Sequence, residues 1–285
     1  MTHPSADLLQ RFSFDDTVIR GEIAHLNTSY QEVLDRHQYP DVVARPLGEL
    51  MAATALLSSS LKFKGRLTLQ VRLPGNISLL QSETDEQGRL RAIARYNTEQ
   101  ASDELTLVDG QLVITLEPEQ GQRYQGIVAI DGGNVAEALE NYFEQSEQLP
   151  TRFWLACNTG TAAGFMLQRM PETTTAKHDP DDWNRIHHLA TTLKHDELLQ
   201  LGNETLLHRL YHEEDIRLYP ATDLSFYCTC SHPRIATALK QLGEAELRNI
   251  IEESGRVEIN CDFCQQQYQF TSDDVDEMFA QSKVH

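Results

Sequence analysis

The alternation of apolar and polar positions divides the chain into stretches of period two and stretches of helical spacing. Val18-Ile19-Arg20-Gly21-Glu22-Ile23 reads as a strand with a bulge-prone glycine, and Leu26 to His37 then takes helical spacing. Tyr39-Pro40 breaks that helix, and a second, strongly apolar one opens at Pro46-Leu47-Gly48-Glu49-Leu50 and continues to about Leu61. Three strand-like segments follow at Arg66–Leu73, Ile77–Glu83 and Arg89–Tyr96. Pro74-Gly75-Asn76 and Glu86-Gln87-Gly88 supply their turns, which predicts an antiparallel meander. Gln111–Thr115 and Tyr124–Ile130 add strands. Asp131-Gly132-Gly133-Asn134 then starts a helix to about Glu147, with Val135, Leu139, Tyr142 and Phe143 on its apolar face. Arg152–Cys157 and Ala163–Met170 close this part of the chain at Pro171.

Beyond the polar stretch Glu172-Thr173-Thr174-Thr175-Ala176-Lys177, a helix is expected from Asp181 to about Leu199, with Trp183, Ile186, Leu189, Ala190 and Leu193 on one face. A second, Glu204–Tyr211, follows the Gly202-Asn203 break. After Tyr219-Pro220, Ser231-His232-Pro233 opens a helix with proline in its first turn, ended by Gly243, and Glu244–Glu253 makes another. Arg256–Asn260 and Tyr268–Phe270 form a hairpin, and Thr271-Ser272-Asp273-Asp274 caps a last short helix to Phe279. The predicted architecture is α+β. It has an N-terminal mixed α/β core domain with an antiparallel sheet (1–172), a helical linker region (173–221) and a small C-terminal α+β module (222–285).

Charge narrows the function classes. In 285 residues, 24 basic side chains face 43 acidic ones, a formal net charge of −19. With no Lys/Arg cluster to offset it, that balance repels nucleic-acid phosphates and anionic membranes. Met1–Arg11 has no apolar core of signal-peptide length, and no apolar run approaches bilayer length, so a cytoplasmic location is expected. There the cysteines stay thiols or metal-bound thiolates.

Four of the five cysteines lie in two close pairs near the end of the chain, Cys228-Thr229-Cys230 and Cys261-Asp262-Phe263-Cys264. A Cys-x-x-Cys pair at a hairpin tip converges two thiolates on one tetrahedral zinc, and the Cys-x-Cys pair can supply the other two. Four sulfurs fill the coordination sphere, so no position remains for a water or substrate and the site is not hydrolytic. Cys-x-Cys is the less usual half, because one intervening residue strains joint ligation. Spacing alone does not choose between a static structural zinc and a thiol switch.

Three other features carry less. Asp131-Gly132-Gly133-Asn134 lacks the Lys-Ser/Thr ending of a phosphate loop and reads as a turn and helix cap. Cys157, in an apolar strand, reads as a packing residue. His178, His187, His188, His195, His208 and His212 scatter around the polar face of the linker helices and read as solvated.

Cys-Thr-Cys-Ser at 228–231, Cys-Asp-Phe-Cys with Tyr268 and Phe270 behind it, and Arg209-Leu210-Tyr211-His212-Glu213-Glu214 upstream resemble the 33 kDa chaperonin family of redox-regulated holdases. Leu61-Lys62-Phe63, Arg123-Tyr124-Gln125-Gly126, the run Tyr142–Arg152 and Ala163–Gln168 extend the resemblance over nearly the whole chain. It implies a chaperone without ATP and without enzymatic activity, silent when reduced and zinc-bound. Oxidants combined with mild unfolding activate it, in the service of the oxidative stress response. Its partners are unfolding client proteins, with no nucleic acid and no membrane, and the active form is a homodimer. The family's four zinc ligands carry over to Cys228, Cys230, Cys261 and Cys264, and its two disulfides to Cys228 with Cys230 and Cys261 with Cys264. Gln265 departs from the glycine or asparagine that often eases such a knuckle, which leaves the knuckle geometry open. Cys157 lies outside the family's cysteine pattern.

Two rival functions compete with this one. One is a zinc-ribbon module with a static structural zinc that binds nucleic acid or a protein partner; the acidic charge and the lack of a basic strip beside the cysteines oppose nucleic acid. The other is a zinc hydrolase, but no His-Glu-x-x-His motif is present and His212-Glu213-Glu214 reads as a solvated helix end.

Overall fold

The stretch Asp41–Ser58 is apolar on nearly every side, and a helix of that kind must be covered all round. A computed structural model describes residues 6–59, 64–75, 77–97, 107–171, 179 and 181–280. In it the chain runs β1 (Leu8–Phe14), β2 (Ile19–Leu26), α1 (Thr28–His37), α2 (Asp41–Ser58), β3 (Gly65–Arg72), β4 (Ile77–Asp85), β5 (Arg89–Tyr96), β6 (Gly110–Pro118) and β7 (Tyr124–Ile130). Next come α3 (Val135–Tyr142), β8 (Thr151–Cys157), β9 (Ala162–Arg169), α4 (Asp182–Ala190), α5 (His195–Gln200) and α6 (Asn203–Tyr211). Three short strands follow, β10 (Ile216–Leu218), β11 (Thr222–Asp223) and β12 (Ser225–Phe226). The chain ends with α7 (His232–Leu239), α8 (Glu244–Ser254), β13 (Val257–Asn260), β14 (Gln267–Phe270) and α9 (Ser272–Ala280).

The chain divides into two compact units, Met1–Tyr227 and Cys228–His285. In the first, one sheet has the order β10-β1-β2-β9-β8 with β11 also on β1, and the other the order β12-β5-β4-β3-β6-β7. The α2 helix lies between the two sheets. Its Leu47, Leu50, Met51 and Leu56 share a core with Leu67 and Leu69 of β3, Leu80 of β4, Leu155 of β8 and Met166 of β9. The opposite face of the first sheet is covered by α4, α5 and α6. Ile186, Leu198, Leu206, Leu207, Leu210 and Tyr211 pack there on Phe12, Phe14, Ile23 and Phe165. His25 crosses that seam. Its Nε2 meets the Leu198 carbonyl at 2.9 Å, and since a carbonyl only accepts, this nitrogen carries the proton. Burial holds His25 below the usual histidine range, so it stays neutral.

The α+β class, the meander β3-β4-β5 and the cap at Asn134 agree with the sequence reading; the Asn134 side chain accepts from the Glu137 amide at 2.8 Å. Several elements differ from it. β1 joins the first sheet ahead of the expected first strand, and α2 begins at Asp41, so that Pro46 lies inside the helix rather than at its start. Gly21 marks no bulge. It pairs in regular register with Phe12 and Leu167, and what requires glycine there is the Phe12 ring, which a Cβ would meet at 2.1 Å. The expected long helix from Asp181 breaks after Ala190. Thr191 and Thr192 turn their hydroxyls onto the His188 and Leu189 carbonyls, and the Glu197 carboxylate accepts from the Lys194 amide to start α5. Strands β10, β11 and β12 carry no sequence signal. They are two or three residues long, too short to show a period, yet they pair with β1 and β5. Leu61-Lys62-Phe63, Asn76, the Glu172–Lys177 stretch and His178 lie outside the described residues.

In the second unit, β13 and β14 pair from Val257↔Phe270 to Asn260↔Gln267. A small core of Leu239, Leu247, Val257, Phe270, Val275 and Met278 holds the three helices to this hairpin.

Candidate metal centre

The second unit brings four cysteines together from two loops. The hairpin strands β13 and β14 end in a knuckle. The Cys261 amide donates to the Gln266 carbonyl at 2.9 Å, and the Gln265 amide donates back to the Cys261 carbonyl at 2.8 Å. Gln265 takes the left-handed conformation, φ 58°, that the turn requires, so the absent glycine does not prevent the knuckle from closing. The Cys228-Thr229-Cys230 loop is held at the start of α7, where the Arg234 guanidinium donates to the Thr229 carbonyl at 2.9 Å.

The four sulfurs lie within 4.8 Å of one another. The Cys228 sulfur is 3.6 Å from that of Cys261, and the Cys230 sulfur 3.3 Å from that of Cys264. A disulfide requires about 2.05 Å. None of the four is joined in a disulfide, and both of these approaches link one loop to the other. Cys261 is buried, and the other three are half-buried.

The electrostatics of the cluster favour a cation. Burial opposes ionisation of Cys228, but hydrogen bonds from Cys230 and the neighbouring thiols more than offset it and hold that thiol below its usual range. Burial pushes Cys261 and Cys264 up, and Cys228 beside them adds to the rise against the backbone amides that favour their thiolates. The Cys228 thiolate is therefore easy to form and those of Cys261 and Cys264 hard, until a positive ion enters. Among the described residues, these cysteines form the group of metal-ligating side chains close enough to hold one ion.

Residues 7–271 match the family model described as Hsp33 protein. The chain belongs to this family. Two curated relatives are named 33 kDa chaperonin. That of Pseudomonas aeruginosa strain LESB58 is 47% identical over 289 residues, 98% of this chain and 96% of its own. That of Ectopseudomonas mendocina strain ymp is 48% identical over 281 residues, covering 96% and 95%. The crystal structure of the 33 kDa chaperonin (heat shock protein 33 homolog) from Thermotoga maritima matches with a TM-score of 0.84 over 97% of this chain and 99% of that one. At 20% identity it shows the fold alone. The Hsp33 family and its relatives' names support a chaperone.

The other sequence candidates lie outside the centre. Cys157 packs beside Tyr30 and Gly48, and burial pushes its thiol up to about 12, which suits a packing role. His188, His195, His208 and His212 are exposed, and His187 stacks on Trp183 at 5.9 Å. One contact at the centre was not anticipated: the Tyr268 hydroxyl donates to the Cys230 sulfur at 3.2 Å. A strand position in β14 says nothing of a partner 38 residues back, and only the closed knuckle aims the ring at it. Among the described residues no helix is long and apolar enough to cross a membrane.

Proposed function

We propose that the chain is a redox-regulated, ATP-independent holdase that captures unfolding and oxidatively damaged proteins and performs no catalysis. The observation that carries this reading is the convergence of four thiols within 4.8 Å, in a chain of the Hsp33 family, in a unit with little core of its own. In the reduced state Cys228, Cys230, Cys261 and Cys264 hold one zinc ion. An all-sulfur donor set is soft, and tetrahedral zinc at about 2.3 Å from each sulfur sets sulfurs about 3.8 Å apart, near the contacts above. When bound, zinc supplies a clasp that ties Cys230 to Cys261 across α7 and α8, and such binding is coupled to folding by on the order of 10–16 kcal/mol.

Oxidation is proposed to join Cys228 to Cys230 and Cys261 to Cys264. Each pair of thiolates with one hydrogen peroxide and two protons becomes one disulfide and two waters. The thiolate ligands are thereby consumed, and each new bond closes a loop of only a few residues, which constrains the unfolded chain little. The unit Cys228–His285 then loosens and α4–α6 leave the first sheet. Their apolar faces, together with Phe12, Phe14 and Phe165 beneath them, become the surface for clients. The active form is a homodimer, and the protein works in the cytoplasm, without nucleic acid or membrane.

The test treats reduced protein with peroxide and mild heat while following zinc release, circular dichroism and aggregation of a denaturing client. Zinc loss with partial unfolding and suppressed aggregation is expected, with peptide mapping giving nearest-neighbour disulfides. Zinc loss with an intact fold and no suppression, or a dominant Cys228–Cys261 bond, contradicts the reading.

A further inference from the structure

Main-chain amides favour the thiolates of Cys228, Cys261 and Cys264: that of Cys230 at Cys228, those of Phe263 and Cys264 at Cys261, and that of Gln266 at Cys264. Cys230 receives a side chain, the Tyr268 hydroxyl at 3.2 Å. Tyr268 sits opposite Ile259 in the hairpin, partly buried against the small core, so its ring is held in place independently of the sulfur. A phenol can donate here, and an anionic sulfur is the stronger acceptor.

We infer that Tyr268 is a positioning residue that sets how tightly the reduced centre holds its metal and how readily Cys230 is oxidised. Resting on the zinc-switch reading above, the inference names a regulator of that same site. In a metal-bound thiolate the proton is already gone, so the hydroxyl cannot act by promoting ionisation. It withdraws electron density from the sulfur, lowering its nucleophilicity, and it would hold the Cys230 side chain in one orientation toward a bound ion. With hydrogen peroxide, the Cys230 sulfur attacks one oxygen; an S–O bond forms as O–O breaks, and the departing hydroxide takes a proton and leaves as water. The Cys228 sulfur then attacks that sulfenic acid; S–S forms, S–O breaks, and a second hydroxide is protonated to water. The Tyr268 hydroxyl restrains the first of these steps.

The test compares full-length reduced, zinc-loaded protein with Tyr268→Phe, which keeps the ring and deletes the donor. Zinc affinity by chelator competition is expected to fall about tenfold, the lower end for outer-shell partners of metal ligands. Zinc release under limiting peroxide is expected to speed up about three- to tenfold, the scale of one hydrogen bond. In cobalt-substituted protein the thiolate-to-metal charge-transfer band should move to lower energy. Incorporation of 3-fluorotyrosine at 268, a stronger donor of nearly the same shape, should move all three readouts the opposite way, which a merely structural ring would not do. If both variants match the parent in affinity, release rate and spectrum, the inference is overturned. A parent protein that binds no zinc, or keeps it after oxidation, overturns the switch reading instead.

Discussion

The two units answer the same problem, how to hold a chain folded, by different means. Met1–Tyr227 buries α2 between two sheets and covers the far face of one of them with α4–α6, so α2 and the first sheet have apolar neighbours on two sides. Cys228–His285 has a core of Leu239, Leu247, Val257, Phe270, Val275 and Met278, at a size where apolar burial alone rarely suffices. Its ion pairs add little. Arg248 meets Glu244 at 2.7 Å and Asp276 at 2.5 Å, but these side chains are open to water, which screens such pairs. The difference teaches where sensitivity resides. A region held by packing responds to side-chain volume, and a region clasped through four sulfurs, as proposed for Cys228–His285, would respond to the chemistry of those sulfurs.

The largest expected effect removes one sulfur. Cys261→Ser should abolish tight zinc binding and unfold the second unit in reduced protein, read as lost zinc stoichiometry and lost helical signal, while the first unit keeps a cooperative transition. If the second unit stays folded, packing holds it and the contrast fails.

A packing change in the first unit sharpens the other half. Leu198→Ala removes a fully buried side chain from the seam of α5 with the first sheet and should cost about 2–5 kcal/mol there. The expected result is normal zinc content with partial holdase activity before oxidation; normal zinc content with none would separate α4–α6 from the client surface.

A charge buried in the first unit gives a pH signature. Glu22 of β2 is 1% exposed, and burial pushes its carboxyl up to about 7 against the hydrogen bond from Ser59. Unfolded, it ionises near 4.5. Between these values the unfolded state loses the proton first, so Glu22's contribution to stability is fully present below pH 4.5 and is lost, by about 3 kcal/mol, as pH rises through 7. Glu22→Gln should flatten that slope in urea titrations from pH 5 to 8, and an unchanged slope would place its origin elsewhere.

The smallest effect lies at the knuckle. Gln265 holds φ 58° without being glycine, so Gln265→Gly should stabilise the second unit by about 1 kcal/mol, seen as slower zinc loss to a chelator.

How much of this the sequence discloses follows the same division. The cysteine pairs are visible because ligation demands fixed spacing, and the structure brings all four sulfurs together. Long elements such as α2 and β3–β5 are visible because α2 is a nearly unbroken apolar run and turn residues bound the strands. What escapes is set by partners distant in sequence. β12 is a strand only because β5 lies beside it, and the Tyr268 hydroxyl matters only because the knuckle aims it at Cys230. Gly21 shows the converse error. Glycine in a strand suggests a bulge, whereas here it makes room for the Phe12 ring.

Hydrogen exchange on reduced protein, before and after zinc is removed by a chelator, tests the central contrast most directly. Amides of α7–α9 and of β13–β14 are predicted to lose protection, followed by those of α4–α6, while β3, β4 and β6 keep theirs. Undiminished protection across Cys228–His285 after complete metal removal would contradict the account.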